Sequence, residues 1–332
     1  MSKQRLFLTR ARATFILSAL LALLAFVSFV SLSLGPADIG LGEIWDVLKG
    51  TGTETQQTVV LELRLPRIIL AMVVGAGLSV AGAVLQSLLR NPLAEPYILG
   101  ISSGGTVGAF LAISLGLGLA PVTTPLFSFA GAGLVMLLVY ALGHRGGSLD
   151  PHALLLSGVM VGAFFNAVIL VSIAVFNREL QTAYLWLLGN LSVTDTGTLM
   201  VAGPFIVIAS VILVFFARSL NLISAGDETA LQAGVNVGRV RGAGYILASL
   251  ITGLAVSVSG VIGFVGLLVP HVCRLLFGSD NRIVLPASVL TGAIFLVGCD
   301  VLSRTLLAPS EIPVGAITAA VGAPLFIYLL KR

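Results

Sequence analysis

The chain has 332 residues and a net charge of +4, with 57% hydrophobic and only 10% charged residues. A soluble domain carries about 25% charged residues, so this chain has too few to cover a water-facing surface. The positive charge does not indicate nucleic-acid binding, because the basic residues cluster at the ends of apolar runs, as in membrane proteins. The composition therefore predicts an integral membrane protein in contact with lipid.

Ten apolar runs are predicted to be membrane-spanning helices, since about 20 apolar residues are needed to cross a bilayer. Many glycines lie inside these runs and strand-like alternation is absent, which favours packed helices over a barrel. The first run is longer than a signal-peptide core, so we expect an uncleaved first helix. We expect one all-α transmembrane domain, residues 1–332. The runs lie near 13–34, 66–89, 97–118, 122–143, 151–176, 199–217, 239–260, 262–278, 284–306 and 313–330.

The distribution of basic residues predicts the orientation in the membrane. If the basic N-terminus lies inside, ten spans return the C-terminus to the same side. Thirteen of the 18 Lys and Arg residues then lie inside and five outside, as the positive-inside rule predicts. We therefore expect a multi-pass protein of the cytoplasmic (inner) membrane with both termini in the cytoplasm.

Two connections are predicted to lie outside. Residues 37–57 contain Trp45 in a short stretch of mixed polarity, which is typical of an interfacial helix. Residues 177–198 contain Tyr184 and Trp186, which suit the aromatic belt of a membrane.

The longest polar stretch predicted inside is residues 221–241. Its sequence predicts two short helices that are broken at Gly234, and it carries several polar side chains at close spacing. These are Asp227, Glu228, Gln232 and Asn236.

The sequence lacks the motifs of an ATP-hydrolysing or nucleophilic enzyme. A P-loop requires a lysine after its glycine, and the three lysines of the chain lie in other settings. The histidines are scattered, and Cys273 and Cys299 are interpreted as small hydrophobes of the core. We expect no catalytic residue, no metal and no cofactor, so that any ATP hydrolysis would take place on another polypeptide.

Ionisable residues inside predicted spans are functional candidates by default. Asp300 and Arg304 lie one helical turn apart and are expected to form a structural pair. Glu311 lies in the turn that follows, near Pro309 and Pro313. Asp300 is interpreted as the sole deep acid, and its pairing argues against a secondary carrier that relays protons.

Arg64, Arg67 and Arg304 are the predicted outside arginines closest to helix ends. They could extend to lipid headgroups. Arg64 and Arg67 flank a proline at a predicted helix start, where the helix dipole opposes positive charge. An anionic partner, either lipid or a protein carboxylate, is therefore expected, and the planar guanidinium suits a carboxylate.

Small residues at four-residue spacing are interpreted as helix-packing positions. Such pairs are Gly75 and Ser79, Gly104 and Gly108, and Gly158 and Gly162. Polar side chains within spans either line a path or bond between helices, and the sequence leaves both interpretations open. These are Gln86, Asn166 and Ser172.

Several motifs resemble one family of membrane proteins over nearly the whole chain. Arg64-Leu-Pro-Arg67, Arg90-Asn-Pro-Leu-Ala-Glu-Pro96 and Gly100-Ile-Ser-Ser-Gly-Gly105 resemble the opening helices of FecCD-type permeases. The C-terminal third is similar as well, at Gly260 to His271 with Arg274, Ser310 to Gly315 and Gly322 to Phe326. These permeases are the membrane subunits of ATP-driven importers for iron chelates, haem and cobalamin.

The resemblance implies a BtuC-like type II ABC importer permease fold with ten helices. It implies a dimer, expected to be a homodimer, with two cytoplasmic ATPase subunits and a substrate-binding protein outside. Arg64, Arg67 and Arg304 match positions that receive glutamates of the binding protein, and Asn91 and Leu93 match a cytoplasmic gate. Residues 221–241 match the segment that couples to the ATPase, with Asp227, Glu228, Gln232, Gly234 and Asn236 as candidate coupling residues.

The sequence thus predicts a permease subunit for an iron(III)-siderophore rather than an enzyme. Pro151 and His152 replace the small hydroxyl residues of the cobalamin importer at a second constriction, which favours an iron chelate over cobalamin. Cobalamin and haem remain alternatives. A stand-alone secondary carrier would transport without an ATPase, and a membrane-embedded enzyme would need convergent His, Asp or Glu residues.

Overall fold

The computed structural model describes residues 9–37, 39–117, 122–145, 148–175, 187–192 and 196–330. The predictions for Tyr184 and Trp186 concern positions outside these ranges. The regular secondary structure within them is helical, apart from two short antiparallel strands, β1 (His144–Arg145) and β2 (Ser148–Leu149).

The described helices account for every predicted span. Seven are long and apolar enough to cross a membrane, namely α1, α3, α5, α6, α7, α10 and α12, and α4, α11 and α13 are shorter apolar helices. These ten confirm the all-helical membrane fold. The bounds are α1 (Arg10–Ser33), α2 (Leu41–Leu48), α3 (Glu54–Leu88), α4 (Ile101–Ser114), α5 (Thr123–Gly143), α6 (Pro151–Val175), α7 (Thr196–Phe215), α8 (Ala217–Ala225), α9 (Asp227–Gln232), α10 (Val237–Ser259), α11 (Val265–Phe277), α12 (Asn281–Thr305) and α13 (Val314–Leu330).

Helix α3 begins at Glu54, well before the predicted start near residue 66. A π-helical turn over Thr58–Arg64 precedes Pro66. Proline has no N–H and clashes with the carbonyl four residues earlier in a regular helix, and the wider π turn lets α3 continue through it. Arg64 and Arg67 therefore lie inside a helix, and the interpretation based on a helix start and its dipole is wrong.

The centre of the bundle is the antiparallel pair of α3 and α12. Gly75 of α3 faces the backbone of Gly292 in α12 so closely that a Cβ atom on either would collide with the other helix. Ser79 lies against the same glycine, as expected for a packing position. Because lipid provides no hydrophobic driving force between helices, close contacts of this kind contribute to the stability of the bundle.

The bundle has two polar ends. We call the end that carries Arg90 and Asp227 the basic end, and the end that carries Arg67 and Glu311 the network end. Helix α1 runs toward the network end, where its Ser31 contacts Arg304. Helix α13 returns to the basic end, so residues 9 and 330, the limits of the described chain, both lie there.

The polar stretch 221–241 contains the end of α8, all of α9 and the start of α10. The predicted break at Gly234 is present between α9 and α10, and a second break, at Gly226, separates α8 from α9. Gly226 has φ 141, a conformation that side-chain-bearing residues rarely adopt. Gly234 (φ 80) lies in the turn between α9 and α10, and the second helix is the start of the long α10 rather than a short helix.

The predicted interfacial helix corresponds to α2. Ile44 and Val47 are buried against the protein, whereas Trp45 is 57% exposed. This amphipathic arrangement is the one expected of a helix at a membrane surface.

Candidate functional sites at the two ends of the bundle

Asp300 is the centre of the network end, and its side chain is fully buried. Arg67 donates from Nε to Asp300 Oδ1 at 2.7 Å, and Arg304 Nε lies 3.0 Å from Oδ2. The pair expected from sequence is therefore present, with Arg67 as an additional partner. Two guanidinium groups compensate the cost of burying this carboxylate.

Arg67 also reaches the surface through Glu311. Its Nη1 donates to both carboxylate oxygens of Glu311, at 3.0 and 2.8 Å. Ser192 Oγ donates to the same carboxylate at 2.8 Å. Burial by itself raises the pKa of Glu311, but the hydrogen bond and charge of Arg67, the Ser192 bond and the charge of Arg304 outweigh it, so the pKa lies below its ordinary value of 4.5.

Arg64 and Arg304 bind the C-terminal end of α1. Arg64 donates from Nη1 to the carbonyls of Leu32 and Ser33, at 2.6 and 3.2 Å. Arg304 donates to the carbonyl of Leu34 at 3.0 Å and to Ser31. A helix end leaves its last carbonyls without partners, and these arginines supply donors. Both are buried, so the interpretation that they extend to lipid is wrong.

The candidate coupling residues lie at the basic end. Asp227 is bound by two arginines, Arg90 and Arg241. Asn236 caps α10 by accepting a hydrogen bond from the backbone N–H of Arg239 at 3.0 Å. Glu228, Gln232 and Asn236 are exposed on this surface.

The candidate gate residues lie in the turn that follows α3. Asn91 donates its backbone N–H to the carbonyl of Gln86 at 3.1 Å. Its Oδ1 accepts from the N–H of Leu93 at 2.9 Å. Leu93 is 45% exposed, so an apolar side chain projects from a well-defined turn.

Glu95 is a buried acid to which the sequence analysis assigns no role. It is 8% exposed, accepts a hydrogen bond from the backbone of Phe264, and shares a small pocket with Ser102 and Thr252. The interpretation of Asp300 as the sole deep acid is therefore wrong. A signal was available, because Glu95 is the only charged residue between Arg90 and Arg145.

The polar residues within spans have different surroundings. Gln86 bonds between helices, donating to the carbonyls of Gly266 and Leu267 at 3.2 and 3.3 Å and accepting from Arg274. Ser172 donates to the carbonyl of Val168 in its own helix at 2.8 Å. Asn166 is exposed on α6. Among the described residues, no group of three or more His, Cys, Asp or Glu side chains could hold a metal.

A bundle of apolar helices with an ion-paired network at each end defines a multi-span membrane protein. The model of the FecCD transport family matches residues 23–332. The chain belongs to this family, and it is the permease of an ABC importer.

Relatives with different substrates are similar to this chain. The cobalamin import system permease protein BtuC of Halobacterium salinarum is 44% identical over 282 residues, which cover 84% of this chain and 74% of that protein. The iron(3+)-hydroxamate import system permease protein FhuB of Bacillus subtilis is 39% identical, over 96% of this chain and 84% of that protein. A solved metal-chelate type ABC transporter in an inward-facing conformation has a TM-score of 0.84 at 30% identity, covering 96% of this chain and 99% of that one.

Proposed function

We propose that this permease carries an iron(III)-siderophore across the cytoplasmic (inner) membrane, driven by ATP hydrolysis on two separate ATPase subunits. The observation that carries the proposal is the similarity to the metal-chelate type transporter over 99% of that chain. The hydroxamate relative supports the same substrate class. Cobalamin is the second candidate, because the cobalamin relative is 44% identical.

The substrate path lies at the interface between two copies of this chain. Asn166 supports this arrangement, because it is an exposed amide on a helix whose neighbouring exposed residues are apolar, such as Met160 and Phe164. A polar group inside a span is unfavourable against lipid and favours a protein contact or a water-filled cavity. A homodimer places this amide at such a contact.

The basic end is the cytoplasmic end, where residues 221–241 contact the ATPase. Glu228 and Gln232 provide exposed contacts, whereas Gly234 and Asn236 set the start of α10. Asn91 and Leu93, in the turn after α3, form the cytoplasmic gate. Closure of the ATPases moves the segment and thereby the gate.

The network end receives a substrate-binding protein through Arg67. Arg64 and Arg304 support this site by holding the end of α1, since both are buried. The side chain of Arg67 is 10% exposed and that of Glu311 is 35% exposed. A glutamate of the binding protein therefore competes with Glu311 for the guanidinium of Arg67. Its carboxylate takes the place of Glu311 beside Asp300 on the planar donor fork.

Reconstitution into vesicles tests the substrate and the energy source together. The permease, its ATPase subunits and its binding protein are assayed with a ferric hydroxamate, haem or cobalamin, each with ATP or a non-hydrolysable analogue. We expect ATP-dependent accumulation of the ferric hydroxamate. Preferential uptake of cobalamin would overturn the substrate, and uptake without ATPase subunits would overturn the importer mechanism in favour of a secondary carrier.

A further inference from the structure

Asp227, the first residue of α9, binds arginines from two other elements of the basic end. Its carboxylate accepts a hydrogen bond from Nη2 of Arg90, which follows α3. It also accepts two from Nη2 of Arg241 in α10, at 3.0 and 3.1 Å. One carboxylate thus joins α9 to the end of α3 and to the start of α10.

Arg90 binds both sides of the break at Gly226. Its Nε donates to the carbonyl of Ile223 in α8 at 2.8 Å, while Nη2 donates to Asp227 in α9. The guanidinium is planar and presents its donors as a rigid fork. Arg90 therefore fixes the two short helices relative to α3.

Arg90 is also the residue at which the proposed gate turn begins. Its backbone has φ 48, the left-handed conformation that commonly ends a helix. The following N–H, of Asn91, bonds to the carbonyl of Gln86 at 3.1 Å, and Asn91 Oδ1 accepts from Leu93 at 2.9 Å. Because these bonds tie the turn together, a displacement of Arg90 moves Asn91 and Leu93 as well.

Stability alone does not explain the pair of Arg90 and Asp227. Their side chains are 40% and 41% exposed, and ion pairs at such exposure contribute little to folding. Arg241 differs, since its side chain is only 7% exposed and its Nη1 also donates to the carbonyl of Leu149 at 3.2 Å. Asp227 supplies the charge that this buried guanidinium needs.

We propose that Arg90 and Asp227 are positioning residues that transmit the movement of residues 221–241 to the gate turn. This inference rests on the coupling and gate roles proposed above. When the ATPase displaces α8 and α9, Ile223 and Asp227 carry the guanidinium of Arg90 with them. The gate turn follows, because its first residue is Arg90.

Thiol labelling at Leu93 tests this transmission without knowledge of the substrate. Leu93 is 45% exposed, whereas Cys273 and Cys299 are 0% and 3% exposed, so a Leu93→Cys variant offers one accessible thiol. The variant is reconstituted with its ATPase subunits, and its rate of maleimide labelling is compared with and without ATP plus vanadate. ATP hydrolysis and the thermal unfolding midpoint are measured on the same samples.

We expect Arg90→Gln to reduce the ATP-dependent change in labelling rate about two- to fivefold, the factor that an exposed ion pair is worth. ATP hydrolysis and the unfolding midpoint should change little. A pair that only stabilised the fold would not predict a smaller labelling response at an unchanged midpoint. Asp227→Asn should act in the same direction. Arg218→Gln, which removes an exposed arginine of α8 outside the coupling segment, is the matched control and should keep the full response.

The outcomes test the link through Arg90 and Asp227 separately from the proposed coupling and gate roles. An undiminished response in Arg90→Gln overturns the link and leaves the coupling and gate roles standing. If the Leu93→Cys permease itself does not respond to ATP while the ATPase is bound and active, the proposed coupling or gate role is overturned. If Asp227→Asn fails to fold because Arg241 loses its counter-charge, Arg90→Gln decides the question alone.

Discussion

Arg67 and Glu311 lie 244 positions apart in the chain and are joined by two hydrogen bonds, of 3.0 and 2.8 Å. The same guanidinium binds Asp300 at 2.7 Å. Arg67 therefore connects a fully buried carboxylate to one that is about one-third exposed. Under the docking role proposed above, a carboxylate of the binding protein competes with Glu311 for this arginine.

Glu311→Gln should strengthen the binding of the substrate-binding protein, because it removes the competing charge from Arg67. We expect the Kd to fall about two- to fivefold, as for one exposed ion pair, and Arg67→Gln to raise it. Binding to the permease in lipid nanodiscs measures both effects. Glu62→Gln, which neutralises an exposed acid of α3, is the control, and an equal gain in this variant would contradict competition at Arg67.

The lowered pKa of Glu311 predicts that the stability of the protein falls at low pH. Its folded-state pKa is below the ordinary value of 4.5, so its contribution to stability is present above pH 4.5 and is lost as the pH falls through the lowered pKa. The difference in unfolding midpoint between the wild type and Glu311→Gln should therefore stay constant from about pH 8 to pH 5 and narrow below that. A difference that already disappears between pH 7 and pH 6 would contradict this assignment.

Asp300→Asn should destabilise the protein strongly, because it leaves Arg67 and Arg304 without their shared buried counter-charge. Breaking a buried ion pair by removing one partner costs about 3–5 kcal/mol. The thermal unfolding midpoint in detergent measures the loss. Asp280→Asn provides a comparison at the more exposed basic end, where Asp280 pairs with an arginine that is 52% exposed, and it should cost less.

The ten spans could be predicted from the sequence because each is encoded locally by an apolar run. The pair of Asp300 and Arg304 could be predicted for the same reason, since its members are four residues apart. The bond between Arg67 and Glu311 was not, because it joins separate elements through the packing of α3 against α12. Local patterns carry no information about such pairs.

Two positions show how context overrides local rules. Pro66 predicts a helix start, but the π turn over Thr58–Arg64 lets α3 continue through it. The local sequence around Glu95 indicates a polar turn, whereas tertiary packing places this residue against Phe264 in the interior. The continuation of α3 through Pro66 required knowledge of the surrounding backbone, whereas the isolated charge of Glu95 was visible in the sequence and only its contact with Phe264 was not.

Gly292→Ala should destabilise the pair of α3 and α12, because the added methyl group would collide with Ser79 and the Gly75 carbonyl. Overpacking of this kind costs about 1–3 kcal/mol. Gly298→Ala in the same helix is the control, since a Cβ atom added there would meet no atom within 4 Å. It should stabilise α12 by up to about 1 kcal/mol through helix propensity. Thermal unfolding of both variants in detergent compares them directly, and equal midpoints would contradict the packing argument.

Glu95 is expected to act as a hydrogen-bond acceptor for the backbone of Phe264, at the residue before α11. Glu95→Gln keeps an acceptor oxygen of nearly the same shape and should change the unfolding free energy by less than about 1 kcal/mol. Glu95→Leu leaves a buried backbone N–H without a partner and should cost about 1–3 kcal/mol. Chemical or thermal unfolding in detergent, with ATP-dependent uptake measured on the same variants, separates the two substitutions. Equal losses of unfolding free energy for Gln and Leu would contradict the assignment of Glu95 as a hydrogen-bond acceptor, because Gln retains the acceptor oxygen.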